Sequence, residues 1–309
     1  MRKYSCMYLI PVLLMLFVPL PLMVFADDYV RGDCDQNGTV DIDDVTSLID
    51  YILNGRWNDV VTPVETETFT VNGCTFKMVK VEGCTFTMGA TEEQMYTECV
   101  KDNEKPAHDV TLSTYYIGQT EVTQQLWIAV MGTNPSPSSQ SDDWSRPVTM
   151  VSWSDCHTFI NELNALTGLQ FRLPTEAEWE CAARGGDRSN GYIYSGSNNL
   201  DEVAWYTSNS GGKTHSVATK QPNELGIYDM SGNVCEWCQD WYSSTYYSVS
   251  PAINPTGPTY GSSIVVRDGA YNNNNLSEKP YRVSKRGSLS TDYRHNSFGF
   301  RLALSLETE

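Results

Sequence analysis

The sequence has few basic residues and few histidines. Its 309 residues contain 21 lysines and arginines against 38 aspartates and glutamates, so the formal net charge at pH 7 is −17. A chain this acidic repels the phosphate backbone of nucleic acids and the surface of anionic lipids, so we expect no nucleic-acid partner and regard membrane surfaces as poor partners. There are only four histidines, and none forms a pair at the spacing of metal ligands, which argues against a histidine-based metal site. They are His108, His157, His215 and His295.

Long apolar runs are also scarce, and the one that stands out is at the N-terminus. Arg2 and Lys3 precede an apolar run from about residue 8 to residue 25, and Val24 and Ala26 are small residues at the −3 and −1 positions of a cleavage site. The alternative is a membrane anchor, but prolines interrupt the run and it is near the lower length limit for a span. We therefore predict a cleaved signal peptide over residues 1–26. The protein is then exported to a periplasmic, cell-surface or extracellular location, with no integral membrane segment after cleavage.

An even number of cysteines remains after the predicted cleavage. Such a set permits disulfides in an exported chain, although the spacing leaves the pairing open. Cys235 and Cys238 form a C-x-x-C, for which a redox role requires a helix N-terminus just after a strand. Pairing or simple burial of the thiols is favoured over that role. The eight cysteines are Cys34, Cys74, Cys84, Cys99, Cys156, Cys181, Cys235 and Cys238.

An acidic twelve-residue segment, DCDQNGTVDIDD over residues 33–44, has the spacing of a calcium loop. Gly38 is at the sixth position, where the loop turns sharply, and Thr39 can offer its carbonyl at the seventh. The twelfth position is aspartate rather than glutamate, and its shorter side chain predicts weaker binding. A solvated acidic turn is the alternative. The predicted side-chain ligands are Asp33, Asp35, Asn37, Asp41 and Asp44.

The loop is followed by apolar residues at helical spacing that end at Asn54-Gly55. Loop and helix together resemble one repeat of a dockerin, an EF-hand-like calcium module. Dockerins have two such repeats and only one is found here, which makes cohesin binding doubtful. We predict a dockerin-like module over residues 27–57, a polar linker over 58–66 and a large domain over 67–309.

The large domain begins with residues that alternate between apolar and polar. Residues 67–88 predict strands with tight hairpin turns at Asn72-Gly73 and Glu82-Gly83. Helices are predicted over about 122–131 and 153–166, and a third begins where Thr175 caps it and Glu178 completes a capping box. Beyond Gly186 the sequence is rich in Gly, Asn, Ser and Tyr and predicts long loops. The inward strand positions are Phe76, Met78, Val81, Phe86 and Met88.

Five motifs occur in order along the large domain. They are EKPAHDVTL (104–112), EVT (121–123), RLPTEAEWE (172–180), GIYDMSGNVCEW (226–237) and GFRL (299–302). Together they resemble the formylglycine-generating enzymes, also called sulfatase-modifying factors, over about residues 74–304. The resemblance implies an α+β fold of the C-type-lectin-like kind, with little regular secondary structure, long loops and bound calcium.

The resemblance implies a copper-dependent oxidation of a sulfatase cysteine, with the metal held by two cysteines at C-x-x-x-x-C spacing. Ungapped alignment from the GFR motif places these positions at Asn273 and Glu278, and a neighbouring family serine at Ala270. Cu(I) requires soft thiolate ligands, which an amide and a carboxylate do not replace. We therefore expect no copper and no catalytic residues of this kind, and we lean away from an enzyme.

The resemblance does carry over one calcium site. It implies side-chain ligands at Asp229 and Glu236 and carbonyl ligands at Gly232 and Val234. Hard oxygen ligands from a tight turn suit calcium. The alternative is a turn that only packs around Trp237. With the N-terminal loop, one or two calcium ions are expected in all.

The resemblance places two polar stretches, 271–276 and 288–298, on the face where the family has its active site. Their Asn, Tyr, Ser, Asp and Arg side chains offer adaptable hydrogen bonds and amphipathic contact area, as in evolved binding loops. We predict a non-catalytic module that binds a protein or a glycan. The candidate contact residues are Tyr271, Asn273, Asn275, Glu278, Tyr293, Arg294 and His295.

Four other interpretations stay open. The first is a cluster of polar loops that binds no ligand. The run of asparagines over residues 272–275 also fits proteins of this fold that retroelements diversify. An oxidase-like or other metal-dependent enzyme outside the cytoplasm is the catalytic alternative. The last is a structural accessory of a surface assembly, connected through the N-terminal module.

Overall fold

The computed structural model describes residues 63–95, 99–273 and 280–305. The predicted signal peptide, calcium loop and dockerin-like helix lie outside these ranges, as do Asn275 and Glu278. The chain divides into two compact units, and the larger one begins at Val64. That start is close to the predicted boundary at residue 67.

Helices make up a small part of the large unit. Within the described ranges, no helix has both the length and the apolar character needed to cross a membrane. The loops that the structure describes contain four single turns of 3-10 helix, at 102–104, 138–140, 186–188 and 246–248. The α-helices are α1 (Glu92–Met95), α2 (Gln124–Met131), α3 (Trp153–Thr167), α4 (Glu176–Ala183) and α5 (Leu200–Val203).

The three longer helices begin where the sequence predicts. The hydroxyls of Thr123, Ser152 and Thr175 each accept a hydrogen bond from the backbone N–H three residues later. Such caps satisfy an N–H group that has no partner inside the helix. At α4, the Glu178 carboxylate in turn accepts a hydrogen bond from the Thr175 N–H, which confirms the predicted capping box. The apolar residues at helical spacing in α3 line one face, where Cys156, Phe159, Ile160 and Leu163 are buried and Trp153 is half-buried.

A five-stranded antiparallel sheet forms one layer of the unit. Its first two strands are joined by a hairpin at Asn72 and Gly73, whose φ angles of 46° and 80° lie in the left-handed region that this turn requires. The sheet order is β1-β2-β5-β11-β6. Its strands are β1 (Thr66–Val71), β2 (Cys74–Val81), β5 (Tyr115–Gly118), β6 (Phe171–Arg172) and β11 (Ala303–Ser305).

The second predicted hairpin turn, at Glu82-Gly83, is wrong. The chain leaves the first sheet here, because β2 already has β1 on one edge and β5 on the other. No edge of β2 is left for the next strand. That strand, β3 (Thr85–Met88), pairs instead with β4 (His108–Thr111) in a separate two-stranded sheet. Of the predicted inward positions, Met78, Val81, Phe86 and Met88 are buried, whereas Phe76 is half-buried.

A four-stranded sheet in the second half of the unit supports the loops. Its order is β10-β7-β8-β9, and β10 lies parallel to β7, with Phe298 opposite Cys235. Long loops separate these short strands, as the sequence predicts. The strands are β7 (Cys235–Trp241), β8 (Ile264–Arg267), β9 (Arg286–Leu289) and β10 (Phe298–Gly299).

Buried ion pairs connect helix α4 to the second sheet. Glu176 accepts hydrogen bonds from Arg267 and Arg286, and Glu180 accepts one from Arg267 at 2.8 Å. All four side chains are almost fully buried. Removing one partner of such a pair leaves an uncompensated charge in a low-dielectric interior, so the network fixes the position of the strands on α4. The observed fold is the predicted α+β class.

Candidate functional site

The two polar stretches meet at Phe298. A small buried cluster of Cys235, Ala270 and Tyr271 has Phe298 packed against it. On its other side Phe298 contacts Tyr293 edge-on, with 5.5 Å between ring centroids. One aromatic ring on strand β10 therefore joins the stretch that begins at residue 271 to the stretch that ends at residue 298.

Tyr293, Arg294 and His295 form an exposed surface, called here the 293–295 surface. The rings of Tyr293 and His295 lie near-parallel, at 19° with centroids 6.2 Å apart. His295 Nδ1 lies 2.6 Å from Ser297 Oγ, and its carbonyl accepts a hydrogen bond from Met150 N–H. These contacts hold both aromatic rings in place while their outer faces stay open to solvent.

Arg294, the positively charged residue of this surface, forms an ion pair with helix α3. Arg294 Nε donates to Asp155 Oδ2 at 2.6 Å, and Nη2 donates to Oδ1 at 2.8 Å. Asp155 Oδ2 also accepts from the Ser152 N–H at 2.9 Å, as part of the capping box of α3. Partial burial raises the pKa of Asp155, but the hydrogen bonds from Arg294 and Ser152 outweigh it and lower the pKa below 3.8. The carboxylate is thus charged at neutral pH.

Tyr271 and Asn273 have a different position. The Tyr271 ring is buried, and its hydroxyl accepts a hydrogen bond from Gln140 Nε2 at 3.0 Å. Tyr271 therefore belongs to the buried cluster on which Phe298 packs, and not to the exposed 293–295 surface. Asn273 is half-buried, and its Oδ1 accepts from the Ala270 N–H at 2.8 Å. The Asn273 carbonyl accepts from the Thr207 hydroxyl at 2.5 Å. Both residues shape their loop, whereas residues 293–295 face solvent.

Two residues that position the 293–295 surface are not found by the motif analysis. Asp155 belongs to an S-x-x-D capping box, a signal that predicts its bond to Ser152 but not its bond to Arg294. Phe298 lies next to the GFR motif and gives no local sign that it bridges two loops. Both roles depend on contacts between distant parts of the chain.

The turn predicted to bind calcium is tightly wound. Asp229, Gly232 and Asn233 have φ angles of 56°, 100° and 59°. At Gly232 a side chain is excluded, because a Cβ would lie 2.6 Å from the carbonyl oxygen of Trp205. Asp229 Oδ2 accepts from the Ala218 N–H at 2.7 Å, while its Oδ1 is buried and has no hydrogen-bond partner.

Two further carboxylates lie near Asp229. Glu236 has both oxygens occupied: Arg301 donates to Oε1 and Oε2 at 2.7 Å each, and Trp179 Nε1 donates to Oε2 at 2.8 Å. Glu121, from the EVT motif, accepts from Asn233 through Oε1 and leaves Oε2 buried without a partner. Sequence reasoning missed Glu121 as part of this cluster.

The cluster places three carboxyl groups near the Arg301 guanidinium in the protein interior. Burial raises the pKa of Asp229 to about 6, with a further contribution from the charge of Glu236. The pKa of Glu121 is raised well above its usual value by burial and by the charges of Asp229 and Glu236. Arg301 is the guanidinium that opposes these carboxylates. A hard divalent cation would relieve the imbalance.

The residues present fit a calcium ion that draws on the backbone. Within ranges 63–95, 99–273 and 280–305, no group of three or more His, Cys, Asp or Glu side chains is placed to hold a metal by itself. The orphaned oxygens of Asp229 and Glu121 are nevertheless hard donors of the kind that calcium prefers. The predicted carbonyls of Gly232 and Val234 would have to complete such a site.

The C-x-x-C pair does not have the structure of a redox motif. Cys235 and Cys238 both lie within strand β7 and belong to separate clusters of buried side chains. Residues three apart on a strand point to opposite faces. Burial raises the pKa of both thiols, which opposes formation of a reactive thiolate.

Three comparisons relate the chain to known proteins. It is 40% identical over 185 residues to the chaperone protein LppX of Paenibacillus barcinonensis, covering 44% of this chain and 65% of that protein. It is 35% identical over 199 residues to the formylglycine-generating enzyme of Streptomyces coelicolor, covering 57% and 60%. It thus spans less than two thirds of the length of these curated relatives. The solved structure of Treponema denticola variable protein 1 aligns with a TM-score of 0.69 and 34% identity, over 79% of this chain and all of that one.

The family itself is defined by a match over most of the large unit. Residues 64–306 match the sulfatase-modifying factor enzyme 1-like domain. This range runs from the start of the large unit through its last strand, β11. The chain belongs to the family of sulfatase-modifying factor enzyme 1-like domains.

Proposed function

We propose that this chain is a non-catalytic binding protein, which recognises a protein or a glycan through the 293–295 surface. The observation that carries the proposal is that Tyr293, Arg294 and His295 are exposed yet fixed by Phe298, Asp155 and Ser297. Side chains ordered before binding lose less conformational entropy when a ligand arrives. Tyrosine and arginine are also enriched among the residues that contribute most to binding energy.

The names of two relatives support a binding role. One is a variable protein, similar over its whole length, and the other is a chaperone. Diversification by a retroelement is a sharper form of this proposal, and the asparagines of residues 272–275 fit it. A nearby reverse transcriptase gene with a matching template repeat would support that form.

The proposal excludes copper oxidation on chemical grounds. Asn273 and Glu278 stand where the resemblance places the two copper cysteines, and the sequence has no cysteine after Cys238. The side-chain oxygen of Asn273 accepts a hydrogen bond from the Ala270 N–H. An amide oxygen is a hard donor, which Cu(I) does not favour.

Calcium has a structural role in this proposal. Asp229 and the carbonyls of Gly232 and Val234 would hold one ion, together with Glu121, whose Oε2 is buried without a partner. Glu236, the other side-chain ligand that the resemblance implies, would have to share an oxygen between the ion and its hydrogen bonds from Arg301 and Trp179. When bound, the ion would neutralise buried carboxylates and stabilise the turn that precedes strand β7. A second ion would bind the loop at residues 33–44. Both sites suit the predicted export, because extracellular calcium modules bind their ion weakly and work at high calcium concentration.

Metal analysis combined with a cysteine-peptide assay tests the non-catalytic part. The purified chain is measured for calcium, copper and iron, and is then incubated with copper, oxygen and a peptide that carries a sulfatase-type cysteine motif. We expect calcium without stoichiometric copper or iron, and an unchanged peptide. Conversion of the peptide thiol to an aldehyde would establish the enzymatic alternative instead.

A further inference from the structure

Two cysteines from distant parts of the sequence lie side by side in the first half of the unit. The Sγ atoms of Cys84 and Cys181 are 3.7 Å apart, although 97 positions separate the residues. Cys84 directly precedes strand β3, and Cys181 lies in the middle of helix α4. A disulfide bond is about 2.05 Å long, so small side-chain rotations would bring the two sulfurs into bonding range.

The surroundings of the pair suit thiol chemistry. Cys84 is half-buried and so can meet a dissolved oxidant, whereas Cys181 is fully buried behind it. The hydrogen bond from Cys181 lowers the pKa of Cys84, and the same bond, followed by burial, raises the pKa of Cys181 well above its usual value. Cys84 is therefore the thiolate that attacks first, and Cys181 is the thiol that resolves.

A metal site at this pair is not indicated. No third His, Cys, Asp or Glu among the described residues joins the two sulfurs in an arrangement that could hold an ion. Two thiols alone fall short of the four ligands of a structural zinc site. The geometry suits a covalent bond between the two sulfurs.

We propose that Cys84 and Cys181 form a disulfide when the chain meets a disulfide oxidant, either a small molecule or a dithiol oxidase. The Cys84 thiolate attacks one sulfur of the oxidant and releases its other sulfur as a thiol, which leaves a mixed disulfide. Cys181 then loses its proton and attacks Cys84 Sγ, which releases the second oxidant thiol. The two cysteines give up two electrons and two protons, and the oxidant takes up both.

The bond would fasten the two-stranded sheet to the centre of the unit. Strand β3 packs beside α4, and α4 holds the buried pairs to Arg267 and Arg286. A cross-link over so long a segment restricts the unfolded chain strongly. The cross-linked chain should therefore unfold at a higher temperature than the reduced one.

Oxidation of the full chain with oxidised glutathione tests the proposal. Free thiols are then blocked, and the digested chain is mapped by mass spectrometry without reduction. We expect one linked peptide pair, Cys84 with Cys181, lighter than the separate peptides by two hydrogen atoms. The melting temperature should rise by about 5–10 °C on oxidation.

Two variants make the outcome specific. Cys84→Ser changes a half-buried residue and should remove both the linked pair and the rise in melting temperature. Cys99→Ser, at another half-buried cysteine, should keep both. A stable glutathione adduct at Cys84 with Cys181 still free, or linkage of other cysteines instead, would overturn the proposal.

Discussion

Arg294 donates two hydrogen bonds to Asp155 across 139 positions of sequence. One partner lies in an exposed C-terminal loop, and the other lies in the first turn of helix α3. The arrangement gives the loop a fixed cation, although the loop itself has no regular structure. The 293–295 surface therefore depends on a tertiary contact rather than on local conformation.

Asp155→Asn tests the charge of this pair. The folded-state pKa of Asp155 lies below 3.8, so its charge stabilises the fold above that pH, and the contribution is lost as the pH falls through the lower folded value. Asparagine keeps an oxygen for the Ser152 N–H, but it removes the charge and replaces the oxygen that accepts from Arg294 Nη2 with an amide NH2 group. We expect a loss of about 0.5 kcal/mol at pH 7, kept small because solvent screens the exposed Arg294. Urea unfolding at pH 7 and pH 2.5 should show the difference shrink at the lower pH; an equal difference at both would contradict the assignment.

Arg301→Met tests the buried acidic cluster. Arg301 is fully buried and pairs with Glu236, while Glu121 and Asp229 lie close by. Its removal leaves three carboxylates without the guanidinium that opposes them. We expect a loss of about 3–5 kcal/mol in the free energy of unfolding, measured with calcium chelated.

Arg294→Met is the matched control for that variant. It removes an arginine with the same two-bond geometry, but from a pair whose members are partly exposed. This variant should lose at most about 1 kcal/mol in the free energy of unfolding. Equal losses in the two variants would show that the buried charge is not what makes Arg301 important.

Much of the scaffold follows from local sequence signals. Thr123 and Thr175 start helices because their hydroxyls satisfy exposed N–H groups, and Asn72-Gly73 closes a hairpin because both residues accept a positive φ. Such signals act over a few residues and can be read directly. The predicted hairpin at Glu82-Gly83 is wrong because a distant contact, and not a local signal, decides the pairing there. The second edge of β2 is filled by β5, which begins at Tyr115, more than thirty residues further along the chain.

The candidate site could be predicted only in part. The stretch that contains residues 293–295 was found from its composition, but the burial of Tyr271 was not, since that depends on packing against Ala270 and Phe298. Glu121 lies near Asp229 in the folded chain, although its EVT motif is more than one hundred residues earlier in the sequence. The spacing of residues along the sequence does not predict contacts between such distant positions.

Asp229→Asn tests calcium binding at the turn. A ligand that binds only the folded state raises its stability by about 2.7 kcal/mol at one hundred times its dissociation constant. We expect calcium to raise the melting temperature of the unaltered chain and to lose most of this effect in the variant. Asp201→Asn changes an exposed aspartate on α5 and should keep it. If calcium does not change the melting temperature of the unaltered chain, this site is excluded.

Asp33→Ala tests the N-terminal loop, which lies outside the described residues. Asp33 occupies the first ligand position of the predicted calcium loop. Calorimetric titration of calcium should count two ions for the unaltered chain and one for the variant. The melting response of the large unit should stay unchanged, because it depends on Asp229. An unchanged count of two would show that residues 33–44 do not bind the ion.

Binding by the 293–295 surface is tested most directly on printed arrays of glycans and displayed peptides. The unaltered chain is compared with Tyr293→Ala, Arg294→Ala and the control Tyr260→Ala, which removes an 84% exposed tyrosine from another loop. We predict that the unaltered chain and the control bind the same glycan or peptide class, and that both surface variants lose at least tenfold in affinity, the loss of about 1.4 kcal/mol or more that marks an energetically important contact. Equal binding by all four chains, or no binding by any, would contradict the proposed function.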